Sequence, residues 1–409
     1  MLTTRRRFLQ TAAGGSALVS LSPLVPNFLL EASAAQGKRD GDNVLVVVQL
    51  SGGNDGLNTI VPFADDEYYR NRYTLGVGRG QVLKIDDRVG FHPAMTGCAE
   101  LLEAGQFSVI QGVGYPNPNR SHFESMDIWH TCRRGERREP LGWLGRYLDT
   151  AAARAGGDAP GLHFGAEKQP LALAAAVAHS PSVQSIDRFR LDDRGNRQVR
   201  DAIEHAANAK RDNADDLLRF LQASTTTALA SSERVQEAIG SYQTPIDYPG
   251  TALAQKLRTV AQLIDAGMTT RIYYVSLDGF DTHSNQADAH TGLLSELSGA
   301  VTAFVKDLAH QGHAERVLVM TFSEFGRRVK ENASQGTDHG AAAPMFLAGG
   351  RVRAGLVGDH PSLNDLEDGD LKFHTDFRQV YAALLRDWLG FSATAPILGD
   401  EFQPASVVG

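Results

Sequence analysis

Val44-Leu45-Val46-Val47-Val48-Gln49-Leu50 runs without a break into Ser51-Gly52-Gly53-Asn54-Asp55-Gly56. The apolar, β-branched run fits a strand buried on both faces, the condition of a parallel sheet covered by helices. The stretch after it can turn tightly, because glycine reaches positive φ without steric cost. Asp55 is thereby delivered just past the carboxyl end of a strand, where open α/β sheets bind their ligands.

The second half of the chain repeats the same grammar. Leu253, Leu257, Val260 and Ile264 keep helical spacing, and Gly267 closes that helix. Arg271 to Leu277 reads as a strand, Leu293, Leu297, Val301, Phe304 and Leu308 as one face of a helix ended by Gly312, and Arg316 to Phe322 as another strand. A βαβ unit of this length predicts that its two strands are parallel neighbours joined by a right-handed crossover. Phe107 to Gly112 predicts a further strand, followed by a helix through Met126 and Trp129. The fold class predicted is α/β, a three-layer αβα sandwich around a mostly parallel sheet spanning residues 43–395, with 396–409 as a C-terminal tail. Asp187 to Ser241 is polar and Ala-rich with sparse apolar anchors, which predicts a helical insertion over about 185–245. A lid and a plain surface elaboration fit that insertion equally.

The 409 residues carry 40 Lys and Arg against 48 Asp and Glu, a net charge of −8. This balance argues against a general nucleic-acid binder, since phosphate backbones are held by an excess of basic residues. Two cysteines, Cys98 and Cys132, cannot build a disulfide scaffold or a four-thiolate zinc site, and read as buried free thiols. Residues 1–35 have the pattern of a targeting leader: Arg5-Arg6-Arg7-Phe8-Leu9 matches a twin-arginine export signal, and Ala32-Ser33-Ala34 offers small residues to a signal peptidase. Removing residues 1–34 deletes three arginines and Glu31, leaving 37 basic against 47 acidic residues and a net charge of −10. Two glycines and two prolines interrupt the leader's apolar stretch, and no other stretch approaches the ~20 apolar residues of a membrane span. The expectation is a protein in the periplasm or secreted, handled by the twin-arginine translocase and left without a transmembrane segment.

Carboxylates and imidazoles collect where the predicted strands end. Asp55 follows the first strand; Asp278, Asp281 and His283 follow the second; Ser323, Glu324 and Arg327 follow the third; Asp338 and His339 precede the apolar segment Pro344 to Leu347. Singly, Asp55 fits an Asx turn, Asp281 a helix cap and Glu324 a surface pair with an arginine. Together, a set of Asp, Glu and His suits Zn²⁺ or Mn²⁺, with Ca²⁺ and Mg²⁺ also admissible. A nucleophile candidate lies in Asn119-Arg120-Ser121-His122-Phe123, with Ser121 at the start of a helix, where unpaired N–H groups favour an anion. A plain capping box with Glu124 is the competing reading of Ser121.

The leader, Leu50-Ser51-Gly52-Gly53-Asn54-Asp55-Gly56, Asn119-Arg120-Ser121-His122-Phe123, Asp278-Gly279-Phe280-Asp281-Thr282-His283, Ser323-Glu324-Phe325-Gly326-Arg327 and Gly336-Thr337-Asp338-His339-Gly340 resemble the exported bacterial family known as domain of unknown function 1501. The resemblance runs from the leader to about Gly390. It implies an alkaline-phosphatase-like fold, the superfamily of sulfatases and phosphoglycerate mutases. By that resemblance Asp55, Asp281, His283, Glu324, Asp338 and His339 are metal ligands for one or two ions, and Ser121 is the nucleophile. Phe325 stands where the superfamily has a ligating histidine, and neither cysteine has the setting needed for formylglycine. Two functions follow. One is an exported metal-dependent hydrolase of phosphate or sulfate esters, small or polymeric, in which Arg120 and Arg327 hold oxygens and His122 protonates the leaving group. The other is a non-catalytic binding or envelope-associated protein on the same fold.

Overall fold

The computed structural model describes residues 43–134, 140–152, 159–178, 180–183 and 240–409. Residues 1–35, read as an export leader, and nearly all of the predicted insertion lie outside the described residues. The first strand, Val44–Ser51, sits in the middle of the main sheet. Val44 to Val48 are each at most 1% exposed, and burial of a valine or leucine side chain stabilises by about 1.5–3 kcal/mol. A run this apolar is worth most at the sheet's centre, where both faces are covered.

The strand order is Gly355–Val357, Phe107–Gly114, Ala343–Gly349, Val317–Ser323, Val44–Ser51, Ile272–Asp278, Gly161–Phe164, Ser182–Val183, with Thr375–Asp376 also pairing with Phe107–Gly114. Ala343–Gly349 runs antiparallel to both of its neighbours, and the other pairings are parallel. One expectation is corrected here. Ile272–Asp278 and Val317–Ser323 are parallel but not adjacent, because Val44–Ser51 lies between them, with Val47 opposite Tyr274 on one side and Met320 on the other. A local βαβ pattern fixes direction and crossover, but cannot exclude a strand from far away taking the central slot.

Period-2 alternation divides the strands between two cores. Val44, Val46, Val48 and Leu50 pack with helices Thr96–Glu103, Ala252–Asp265 and Gln286–His310. Leu45 and Val47 pack on the other face with helices His122–Thr131, Trp143–Ala152 and Phe377–Ala383. These are the three layers expected. The buried stripe of helix Gln286–His310 runs through Leu294, Leu297, Val301, Phe304 and Leu308, with Leu293 only partly buried against it. Gly267 and Gly312 follow the two helices in left-handed conformation, as helix-ending glycines do. Asp376 caps the helix Phe377–Ala383 in a capping box with Gln379. Past residue 396 the chain packs back onto the body through buried Ile397, Leu398 and Val407. Cys98 and Cys132 are buried free thiols. Among the described residues, no helix is long and apolar enough to cross a membrane.

Candidate metal centre

Three loops at the carboxyl ends of the central strands meet above the sheet. The turn after Val44–Ser51 allows this: Gly52 has φ of +116°, and a Cβ there would lie 2.4 Å from the Asp281 amide nitrogen. Only a residue without a side chain lets the segment after Ile272–Asp278 approach so closely. The Phe280 amide donates to the Ser51 carbonyl (3.1 Å), fixing the approach. Arg327 locks the same corner. Its buried guanidinium donates to the carbonyls of Gly52, Gly53, Thr337 and Phe280 and to Asp281 Oδ1 (2.7 Å).

Asp281 is the hub. Its Oδ1 lies 3.1 Å from His283 Nε2 and 3.1 Å from His339 Nε2, and its Oδ2 lies 3.4 Å from His122 Nε2. The two nitrogens of His283 and His339 are themselves 2.9 Å apart. Ligand atoms of His122, Asp281 and His339 all fall within 4.8 Å of one another. Burial pulls the Asp281 carboxyl upward, but the hydrogen bond and charge of the Arg327 guanidinium, with the imidazoles beside it, outweigh that and hold the pKa at about 2. Asp281 is therefore a carboxylate at neutral pH.

Each imidazole is tied down at its other nitrogen. His122 Nδ1 lies 2.8 Å from Glu324 Oε1, His283 Nδ1 3.1 Å from Asp338 Oδ1, and His339 Nδ1 2.8 Å from the Arg120 carbonyl. These oxygens can only accept, so each Nδ1 carries a hydrogen, and in the neutral ring Nε2 then presents a lone pair. Three lone pairs point at one carboxylate. Two of them sit 2.9 Å apart, which is repulsive unless a proton or cation lies between them, and His122 Nε2 is buried with no hydrogen-bond partner. For His122, Asp281 and His339 the spacing suits an ion, since bonds of about 2.1 Å to tetrahedral zinc place ligand atoms about 3.4 Å apart, and His283 adjoins that group through Asp281 and His339. An imidazole whose second nitrogen is held by a carboxylate or carbonyl is the usual arrangement around a bound metal.

The remaining candidates divide sharply. Asp55 is fully buried and its two oxygens take both terminal nitrogens of Arg72, with Gln286 donating to Oδ2. Burial alone would raise its pKa; the Arg72 charge and hydrogen bond reverse that and lower it. The carboxylate expected to ligate is thus neutralised internally, by an arginine that no feature of the sequence singled out. Glu324 is not at the hub either: Oε1 accepts from the Gly52 amide and His122, and Oε2 from Ser323. Asp338 faces the far side of His283, receiving Asn332 as well. Both carboxylates orient imidazoles. His122, expected as an acid, lies in the group of side chains that could hold an ion. Phe325 packs its ring 4.9 Å from His122 and 4.6 Å from His339, forming an apolar wall that holds both imidazoles.

Neither arginine is free to clamp an anion. Arg327 spends its donors on the corner described above, and Arg120 is paired with Asp370. Ser121 begins the helix His122–Thr131 but forms no side-chain cap, so the capping box does not occur; Glu124 receives Asn119 instead. The Ser121 amide donates to Asn119 Oδ1 (2.7 Å), and its side chain is exposed one residue before His122.

Distant structural likenesses accompany this geometry. A protein of the alkaline phosphatase superfamily from Vibrio parahaemolyticus is 7% identical, with 93% of this chain and 77% of that chain covered and a TM-score of 0.42. A sulfatase from Pseudoalteromonas sp. is 12% identical, with 97% and 77% covered and a TM-score of 0.39. The C-terminal periplasmic domain of EptC from Escherichia coli, in complex with zinc, is 9% identical, with 76% and 73% covered and a TM-score of 0.35. No curated protein matches the sequence. The family model described as a protein of unknown function, DUF1501, matches residues 42–385, and the chain belongs to that family.

Proposed function

We propose that this protein is an exported, metal-dependent hydrolase of phosphate or sulfate esters. The observation that carries the reading is the convergence of three Nδ1-anchored imidazoles on Asp281. His122, Asp281, His283 and His339 would hold one divalent ion. Three nitrogens and one oxygen favour Zn²⁺, then Mn²⁺, over Ca²⁺ and Mg²⁺, which prefer oxygen ligands. When bound, such an ion polarises ester oxygens and lowers the pKa of an adjacent hydroxyl.

The chain supplies the rest. Ser121 offers an exposed hydroxyl with no hydrogen bond to it among the described residues, joined directly to His122. Its Oγ attacks the phosphorus or sulfur, forming that bond as the bond to the leaving alcohol oxygen breaks. The Ser121 proton leaves with the alcohol, and water then attacks the phosphorus or sulfur of the resulting serine ester, breaking its bond to Oγ, releasing phosphate or sulfate and returning a proton to the hydroxyl. The unpaired first-turn N–H groups of helix His122–Thr131 favour the anionic group being transferred. Export rests on the leader at residues 1–35.

One observation favours the alternative, a non-catalytic binding protein: Arg120 and Arg327, the two arginines expected to hold the ester's oxygens, are both engaged by carboxylates. Elemental analysis of protein matured through its own export route, followed by a phosphatase, phosphodiesterase and sulfatase panel, separates the two. Stoichiometric zinc or manganese, with turnover abolished in Ser121→Ala, is expected. Metal-bearing protein that turns over none of these esters would leave the binding reading standing.

A further inference from the structure

Asp370 stands outside the cluster, yet it is tied to two of the segments that build it. It lies in a two-stranded hairpin, Leu366–Glu367 paired with Asp370–Leu371, with Glu367 opposite Asp370. The connecting residues Asp368 and Gly369 have φ of +54° and +85°, the two-residue Asp-Gly turn that matches the twist of adjoining strands. Buried Leu371 seats the hairpin in an apolar cluster with Leu57, Val61 and Leu363. The hairpin that carries Asp370 is therefore anchored by its own turn and by apolar packing.

That carboxylate is 2% exposed and faces two arginines. Arg120 Nε donates to Oδ2 (2.9 Å), and Arg328 Nε lies 3.4 Å from Oδ1, which has no hydrogen-bond partner of its own. Arg120 immediately precedes Ser121 and His122, and its carbonyl is the acceptor that fixes His339 Nδ1. Arg328 immediately follows Arg327, the clamp on Asp281, and its amide donates to the Asp338 carbonyl (2.9 Å). A half-exposed arginine would otherwise be free to sample solvent, carrying its backbone with it. From this geometry we infer that Asp370 is a positioning residue for the metal centre, holding the Arg120 and Arg328 segments so that His122 and His339 keep their Nε2 atoms on Asp281. The inference rests on the metal reading above.

The test is the affinity of the full chain for Zn²⁺ alone, by competition with a chromophoric chelator, in wild type, Asp370→Asn, Arg120→Ala and the double variant, with thermal melts of the metal-free proteins alongside. Groups that hold metal ligands in place typically contribute 10- to 100-fold in affinity. Asp370→Asn is expected to weaken Zn²⁺ binding by roughly 10-fold or more, Arg120→Ala by a measurable but no larger factor, and the double variant no further than Asp370→Asn alone, because that change already removes the Arg120 pair along with the Arg328 one. A purely structural Asp370 would lower the melting temperature and leave the zinc affinity of the folded variant unchanged, which would overturn the inference. If Asp370→Asn does not fold, unchanged zinc affinity in Arg120→Ala overturns it equally. Wild-type protein that binds no Zn²⁺ would instead sink the metal reading itself.

Discussion

Two carboxylates sit at the ends of neighbouring strands on the same edge of the sheet, and their surroundings make them opposites. Asp55, after Val44–Ser51, is buried against the Arg72 guanidinium, with both side chains fully inaccessible. Asp281, after Ile272–Asp278, is about half exposed and ringed by three imidazole nitrogens. Gln286 connects the two regions, donating to Asp55 while its carbonyl accepts from Thr282 and Thr337 beside the cluster. Position on the sheet edge is shared, so position cannot decide which carboxylate receives a cation. The pairing already present separates them. An internal guanidinium takes both oxygens of Asp55 and closes that region as a structural joint, whereas Arg327 takes only Oδ1 of Asp281 and leaves Oδ2 facing His122.

The difference is most easily broken at the closed region. Arg72→Ala leaves a buried carboxylate unpaired and is expected to cost about 3–5 kcal/mol of folding stability, measured by urea denaturation of metal-free protein; a loss below about 1 kcal/mol would mean that Asp55 is solvated after all. At the open region the effect should fall on zinc instead. His283→Ala removes an exposed ligand, so metal-free stability should stay within about 0.5 kcal/mol of wild type. Its Zn²⁺ affinity should drop by at least about 100-fold, more than the loss of an orienting group produces. Equal affinity would remove His283 from the centre. Glu324→Gln keeps shape but weakens the hold on His122 Nδ1, and a 10- to 100-fold loss of zinc affinity is expected in the same assay.

Acid separates the regions more gently. The folded pKa of Asp55 lies below its ordinary value of 3.8. Its stabilising contribution is therefore complete above that value and is lost only as pH falls through the folded pKa. Zinc binding requires neutral imidazoles, and the hydrogen bond from His122 to Glu324 raises the His122 pKa above its ordinary 6.5. Zinc affinity should thus decline from above pH 6.5 downward, while the Asp55 contribution to the urea midpoint persists to about pH 4. Coincident declines would contradict the assignment of the two sites.

Much of this was legible in the chain. The β-branched run Val44 to Val48, the helical stripe ending at Leu308 and the strand-end placement of Asp281, His283 and His339 are local patterns, and local patterns survive reading in one dimension. The partnerships were not. Arg72 lies 17 positions from Asp55 and 256 from the Arg328 carbonyl that it also contacts, and an arginine in a mixed surface-like stretch carries no mark of burial. The placement of His122 and Glu324 has the same cause: both sit at element ends, and only the fold decides which one faces Asp281 and which stands behind it. Phe325 looked like a missing ligand because a motif position says what residue is present, not that its ring is needed to support two others.

Anomalous diffraction at the zinc absorption edge, from crystals of the protein grown with Zn²⁺, tests the central claim most directly. A single strong peak bounded by the Nε2 atoms of His122, His283 and His339 and by the Asp281 carboxylate is predicted. A peak against Asp55, or full occupancy elsewhere with that space empty, would contradict it.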